Sequence, residues 1–333
     1  MRLLMLVPDQ DRATGNWVTA RRLTAGLNRQ GHACLLHGVT AGEPPDLAGI
    51  LSDFRPAAVL LLHAWRSGLP WLQAGPPPLP MLVLLTGTDL NQGLDSPEQA
   101  PVINEILARA AAVLLQNRCL LSALAARRPD LQEKLVYLPP GVALGNEPYD
   151  LRRELGLPAG RRLLLCPASI RPVKGVVELL ELAAALAARR DDFHLVFCGP
   201  LLADDYARRF LEAVALRPWA SYVGTIPHAA MAAAIGAADL VLNSSFHEGL
   251  PNSLLEADAL GVPILARDIP GNAEAVRSGE NGLLYTDVAS FVAGAGQLLD
   301  DPSWRTRRPT TTAESGSARE IERLDALLRS LVS

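Results

Sequence analysis

The chain has 333 residues, 49% of them apolar and 20% charged, a length and balance that lean towards two folded domains and exclude a disordered segment or tail. A formal net charge of −4 with no long Lys/Arg block excludes a track for DNA or RNA. The four cysteines, Cys34, Cys119, Cys166 and Cys198, show neither a C-x-x-C pair nor Cys/His ligand spacing and read as reduced thiols of a cytoplasmic protein.

The opening run Met1 to Val7 is too short for a secretion signal and no small-residue cleavage site follows it, so Leu3 to Val7 reads as a first buried strand. No apolar stretch approaches the roughly 20 residues that span a bilayer, which leaves at most peripheral contact with a membrane. A helical pattern runs from about Asn16 to Gln30. Strands are expected at Ala33 to Leu36, Ala58 to Leu62, Met81 to Leu85, Ala112 to Leu115 and Leu135 to Leu138, with Gly75-Pro76-Pro77-Pro78 and Pro139-Pro140-Gly141 as punctuation. The polar stretch from about Gly145 to Gly160 is the expected linker, dividing residues 1–150 from 151–316.

After it come a strand at Arg162 to Cys166, a helix carrying Leu179, Leu182, Ala183 and Leu186, and a strand at Phe193 to Phe197. The alternation continues through His228 to Ala237, Leu240 to Leu242, Asn252 to Leu260 and Val262 to Ala266. Residues 317–333, with Ile321, Leu324, Leu328 and Leu331 in helical register, form a last helix able to pack back across the domains. The predicted fold class is α/β: two doubly wound, Rossmann-like domains facing a central cleft, with ligands outside the carboxyl ends of the strands.

The run Asn243 to Glu256 carries Glu248 and Glu256 across a strand end, a Gly/Pro loop and a helix start. Glu248 ends the loop at the sheet's carboxyl edge. Asn252 or Ser253 is placed to cap a helix whose free amides point at an anion, and Glu256, one turn on, can reach ribose hydroxyls. This spacing alone is common between unrelated exposed glutamates. A second run, Ser169 to Gly175, adds Arg171 and Lys174, three apart and able to serve one anion. Cations at a helix start oppose the dipole unless an anion lies between them, and a guanidinium with an ammonium neutralises a departing diphosphate without metal. Alanine at Arg171 or Lys174 is expected to cost far more in turnover than in folding, because the partner of each is bound substrate.

In the first half, Gly15 and Asn16 follow the first strand, His63 ends the third, and Thr88-Asp89 follow the fourth. All are candidates for the acceptor side. Each also has a plain structural reading, as a strand-to-helix turn, a core histidine or a helix cap. Asp9-Gln10-Asp11 spells a D-x-D metal triplet, but three letters in a loop carry little, and no metal is expected.

The two charged runs, with Ala266-Arg267-Asp268-Ile269-Pro270-Gly271-Asn272 and Asn281-Gly282-Leu283-Leu284-Tyr285, resemble the nucleotide-sugar domain of glycosyltransferase family 4, of GT-B fold, over roughly Leu163 to Leu299. Thr14 to Ala20 and Leu85 to Leu90 resemble the branch of glycosyltransferase-1-domain-containing proteins and, more loosely, the bacterial selenosugar synthases. The resemblance implies retaining transfer of a hexosyl or N-acetylhexosaminyl group from a nucleotide diphosphate sugar, uridine by family habit, to a small-molecule or glycan acceptor, with no metal or other cofactor. It implies Arg171 and Lys174 on the diphosphate, Glu248 at the donor sugar and Glu256 at the ribose. The segment Gly249, Leu250, Pro251, Asn252 and Ser253 would hold sugar hydroxyls and phosphate through its amides. Gly224, Thr225 and Ile226 would bracket the base by main-chain contacts. A selenosugar synthase, a nucleotide-sugar epimerase and a non-catalytic nucleotide-sugar-binding protein stay open as alternatives, since the four charged residues all serve the donor.

Overall fold

The computed structural model of the chain describes residues 1–9, 14–40, 47–306 and 313–332. Two compact units emerge, residues 1–141 together with 314–333, and residues 142–313. The first unit holds a six-stranded sheet of β1 (Arg2–Pro8), β2 (Ala33–Val39), β3 (Ala58–Leu62), β4 (Met81–Leu84), β5 (Ala112–Leu115) and β6 (Leu135–Tyr137), in the order β2-β1-β3-β4-β5-β6. Its strand pairs are parallel throughout. Parallel strands covered on both faces carry near-continuous apolar runs, which is why Leu3 to Val7 and Ala58 to Leu62 are fully buried.

Side-chain alternation sends Leu4 and Leu6 to one core layer, and Leu3, Met5 and Val7 to the other. The second layer is completed by helix Gly15–Arg29 and by Ile321, Leu324 and Leu328 of helix Ala313–Val332. That last helix is 20 residues long and is an integral part of the first unit. Arg22 grips Glu320 through two hydrogen bonds of 2.7 and 2.9 Å, Gln116 adds a third of 2.5 Å, and the Glu320 carboxylate is wholly buried.

The second unit holds β7 (Arg162–Pro167), β8 (Phe193–Cys198), β9 (Ala220–Tyr222), β10 (Leu240–Asn243), β11 (Ile264–Arg267) and β12 (Gly282–Tyr285), in the order β12-β11-β10-β7-β8-β9, again parallel. Helices Val176–Ala187, Asp204–Ala215 and Val288–Asp300 cover one face, and His228–Ala237 and Asn252–Ala259 the other. Three expectations shift. The division falls after Gly141 rather than at 150, because the Glu147 amide bonds to the Ala229 carbonyl (2.9 Å) and Leu151 is buried in the second unit's core. The Asn281–Tyr285 motif contains the edge strand β12, and β11 starts at Ile264, just after Pro263, rather than at Val262. Among the described residues no helix is long and apolar enough to cross a membrane.

Candidate functional site

In the second unit β7, β10 and β11 are neighbours, so the loops leaving their carboxyl ends lie together. After β7 the chain makes a short turn at Pro172–Lys174 and enters helix Val176–Ala187 through Gly175, whose φ of +59° is left-handed. A Cβ at Gly175 would sit 2.5 Å from the Ser244 carbonyl oxygen, so glycine is required on two counts. Ser244 donates to the Lys174 carbonyl (2.9 Å) and the Phe246 amide to the Val173 carbonyl (2.9 Å). These bonds lay the loop of Lys174 against the loop of Glu248.

The result is an ion pair. Lys174 Nζ lies 2.5 Å from Glu248 Oε1, with side chains only 17% and 11% exposed. Ser245 Oγ donates to the same oxygen at 2.7 Å, and Asn243 Nδ2 approaches it at 3.5 Å. Burial pushes the Glu248 carboxyl up, but the Lys174 charge and the bonds from Lys174, Ser245 and Asn243 outweigh it and hold Glu248 below the usual carboxylate range. Glu248 is therefore a charged acceptor at neutral pH.

Arg171, at the start of the same turn, is in a different position. Burial draws its guanidinium below its ordinary value, opposed by the nearby Glu248 charge, and its buried Nε has no hydrogen-bond partner among the described residues. A buried unpaired donor costs about 1–3 kcal/mol, and native proteins seldom leave one without use. Lys174 and Arg171 were expected to share one situation, with bound substrate as the partner of each. The structure corrects this for Lys174, whose protein partner is Glu248, because the loop contacts above bring the two within bonding distance.

Helix Asn252–Ala259 begins after Pro251, which is the N-cap residue and supplies no side-chain bond, so neither Asn252 nor Ser253 caps it as expected. Both belong to its first turn. Gly249 and Pro251 are buried while Leu250, Asn252 and Ser253 are partly exposed. Glu256 is buried, with Oε1 3.3 Å from His228 Nε2. Gly224 follows β9 with φ +75° and accepts the Gly199 amide at 2.9 Å. Thr225 is exposed and Ile226 is 3% exposed, with its side chain in the core.

In the first unit, helix Gly15–Arg29 starts at Gly15 with Thr14 as N-cap, which makes Asn16 a first-turn residue and not the cap it was expected to be. His63 ends β3 with a φ of +77°, rare for a residue with a side chain, and is 2% exposed. Its Nδ1 accepts the amides of Trp65 (3.3 Å) and Arg66 (3.2 Å), so the proton sits on Nε2, which donates to Thr88 Oγ1 at 3.0 Å. Asp89 is fully buried and accepts the amides of Ala64, Thr86 and Gly87 at 2.9 to 3.3 Å. Its carboxylate clamps two loops together; of the pair, Thr88 is the one with exposed surface. Of the Asp9-Gln10-Asp11 triplet, Gln10 and Asp11 lie outside the described residues.

Sequence reasoning passed over three residues of this site: Asn243, Ser245 and His228. Asn243 and Ser245 stand in the quoted run beside Glu248, and a polar side chain at the carboxyl end of an apolar strand was the available signal. His228 is separated by 28 positions from its partner Glu256, and nothing local announces the pair.

Residues 149–314 match the family model described as glycosyl transferases group 1. The chain is 25% identical over 303 residues to the glycosyltransferase 1 domain-containing protein 1 of Xenopus tropicalis, covering 88% of this chain and 86% of that one. It is 34% identical over 191 residues to a D-inositol 3-phosphate glycosyltransferase of Thermobispora bispora, 51% of this chain and 43% of the relative, so it spans less than half of that protein's length. Among solved structures, Anabaena HepE in complex with UDP and glucose superposes with a TM-score of 0.77 at 16% identity, over 99% of this chain and 100% of that one. At such identity the likeness speaks for the fold, the GT-B class of two Rossmann-like units.

Proposed function

From the premise that this chain belongs to the glycosyltransferase group 1 family through residues 149–314, we propose that it is a metal-independent, retaining glycosyltransferase using a nucleotide diphosphate sugar, a UDP-sugar first among them. The observation that carries this reading is the half-buried cation Arg171, whose buried Nε has no partner among the described residues, beside the Lys174–Glu248 pair at the carboxyl edge of one sheet. Arg171 and Lys174 meet the diphosphate. Glu248, ionised, accepts hydrogen bonds from donor-sugar hydroxyls, and Glu256, with His228 beside it, accepts from the ribose. The segment 249–253 meets sugar and phosphate, and the main chain at Gly224 and Ile226 brackets the base.

In the reaction the acceptor hydroxyl oxygen forms a bond to the anomeric carbon as the bond from that carbon to phosphate oxygen breaks. The electron pair stays on the phosphate, which takes the acceptor proton on the same face, so configuration is retained. Arg171 and Lys174 stabilise the charge that grows on the leaving group, a contribution worth about 3–4 kcal/mol per donor in comparable sites. The same two cations supply the neutralisation for which other transferases use a metal. On the acceptor side we assign to Thr88, bonded to His63, the contact with a hydroxyl, with Gly15 and Asn16 after the first strand and Asp89 holding the loops. The substrate pair is of the kind met in the cytoplasm.

The deciding experiment is a thermal-shift screen of nucleotide diphosphate sugars, then mass spectrometry and anomeric proton NMR of acceptor mixtures with and without EDTA. Retained configuration and full activity in EDTA are expected. An inverted product, loss of activity in EDTA, or no nucleotide sugar bound at all would overturn the reading in part or whole.

A further inference from the structure

The dipeptide Gly271–Asn272 follows β11 and has no place in the reading above, yet it forms the seat of Glu248. A Cβ at Gly271 would lie 2.5 Å from both the Cβ and the carbonyl oxygen of Glu248, so the Glu248 backbone rests directly on the Gly271 Cα. Asn272 is fully buried. Its Nδ2 donates to the Arg267 carbonyl at 2.9 Å and to Asn243 Oδ1 at 3.2 Å, two acceptors that fix which end of the amide faces them. Asn243 Oδ1 also accepts the Ser245 amide at 2.9 Å, and Ser245 Oγ grips Glu248 Oε1 at 2.7 Å. The direct approach of Asn243 Nδ2 to Glu248 is long, at 3.5 Å, so the path through Ser245 is the stronger one.

We infer that Asn272 is a positioning residue for Glu248, acting through Asn243 and Ser245 to hold the carboxylate where a donor sugar must meet it. The inference rests on the proposed donor role of Glu248. Buried amide chains of this sort are worth most when every link is made, because each fixes the orientation of the next. Asn272 Oδ1 itself has no hydrogen-bond partner among the described residues, so its nitrogen end carries the connection. A loosened Glu248 would still leave Arg171 and Lys174 to bind a diphosphate. The loss should therefore fall on steps that need the sugar.

The test compares Asn272→Ala, Asn243→Ala and the double variant in the full chain, reading UDP affinity, donor KM and kcat. Each single variant should bind UDP within about threefold of wild type yet lose tenfold or more in kcat/KM. The double variant should lose no more than the worse single one, since the two residues act in one chain. A purely structural role would instead lower UDP binding and turnover together, and additive losses, or wild-type turnover in Asn272→Ala, would overturn the inference. If Asn272→Ala does not fold, the uncharged, near-isosteric Asn272→Leu, which fills the same space but loses the donor, takes its place with the same expected split. Wild-type protein that binds no nucleotide sugar would overturn the donor reading, and this inference with it. A wild-type enzyme unaffected by these changes would overturn the inference alone.

Discussion

Replacing Lys174 by methionine removes the cation from Glu248 while keeping much of the side chain's volume. Glu248 would then remain as a nearly buried carboxylate with Ser245 and Asn243 but no opposite charge at 2.5 Å. Breaking a buried pair from one side typically costs about 3–5 kcal/mol, and the 17% and 11% exposure of the two side chains places this pair near the lower figure, about 3 kcal/mol. In a unit of this size, that is a fall in Tm of roughly 6–12 °C. The pH dependence has a definite sign. In the wild type the Glu248 carboxyl is held below its unfolded value, so the pair's stability is present above about pH 4.3 and is lost as pH falls through the folded value. In Lys174→Met burial acts with far less opposition, the folded value rises, and the variant's deficit is largest at neutral pH and shrinks as Glu248 is protonated. Urea unfolding at pH 7 and pH 4 of Lys174→Met, Glu248→Gln and the double variant measures this. The double variant should recover part of the loss, because neither member of the Lys174–Glu248 pair is left behind without the other. Equal stability of Lys174→Met and wild type at pH 7 would refute the reasoning.

Arg171→Ala should behave in the opposite way, with Tm unchanged within about 2 °C and turnover down roughly 10²–10³-fold, because Arg171 Nε has no partner to lose among the described residues. Gly175→Ala should cost about 2 kcal/mol or more in chemical unfolding and weaken UDP binding in calorimetry, since the left-handed φ of +59° and the Ser244 carbonyl both oppose a methyl group. Asp89→Asn turns a donor towards the amides of Ala64, Thr86 and Gly87, and should destabilise the first unit by about 2–3 kcal/mol in urea titration. Glu320→Ala strands Arg22 in the core and should lower stability by about 3–5 kcal/mol, which a thermal melt will resolve.

Most strands were legible because parallel strands covered on both faces are written as unbroken apolar runs; Ala58–Leu62 is read with the bounds the structure gives it. The edge strand Gly282–Tyr285 escaped because Leu283 and Leu284 are only half buried and the segment is too short to show a period. The polar stretch near Gly145 looks like a free linker in sequence, but its main chain docks on helix His228–Ala237, a contact no composition reveals. At the candidate site, the charges of Lys174 and Glu248 stand out in the sequence and their pairing does not. Lys174 and Glu248 are 74 positions apart, and only the adjacency of β7 and β10 brings them together. Asp89 carries the opposite lesson. A carboxylate after a strand points equally well to a ligand or to its own loop, and three inward-turned amides decided for the loop.

The placement of helix Ala313–Val332 also sets a timetable for biosynthesis. One core layer of the first unit, partly covered by helix Gly15–Arg29, is completed only when helix Ala313–Val332 appears, after the whole of residues 142–313 is made. At ~5–20 residues per second the delay is on the order of ten seconds or more. During that interval the sheet face bearing Leu3, Met5 and Val7 has no cover from Ile321, Leu324 and Leu328, whereas the second unit is a continuous stretch of chain and is complete as soon as residue 313 is made. The first unit thus completes its core only after the residues of the second have been made.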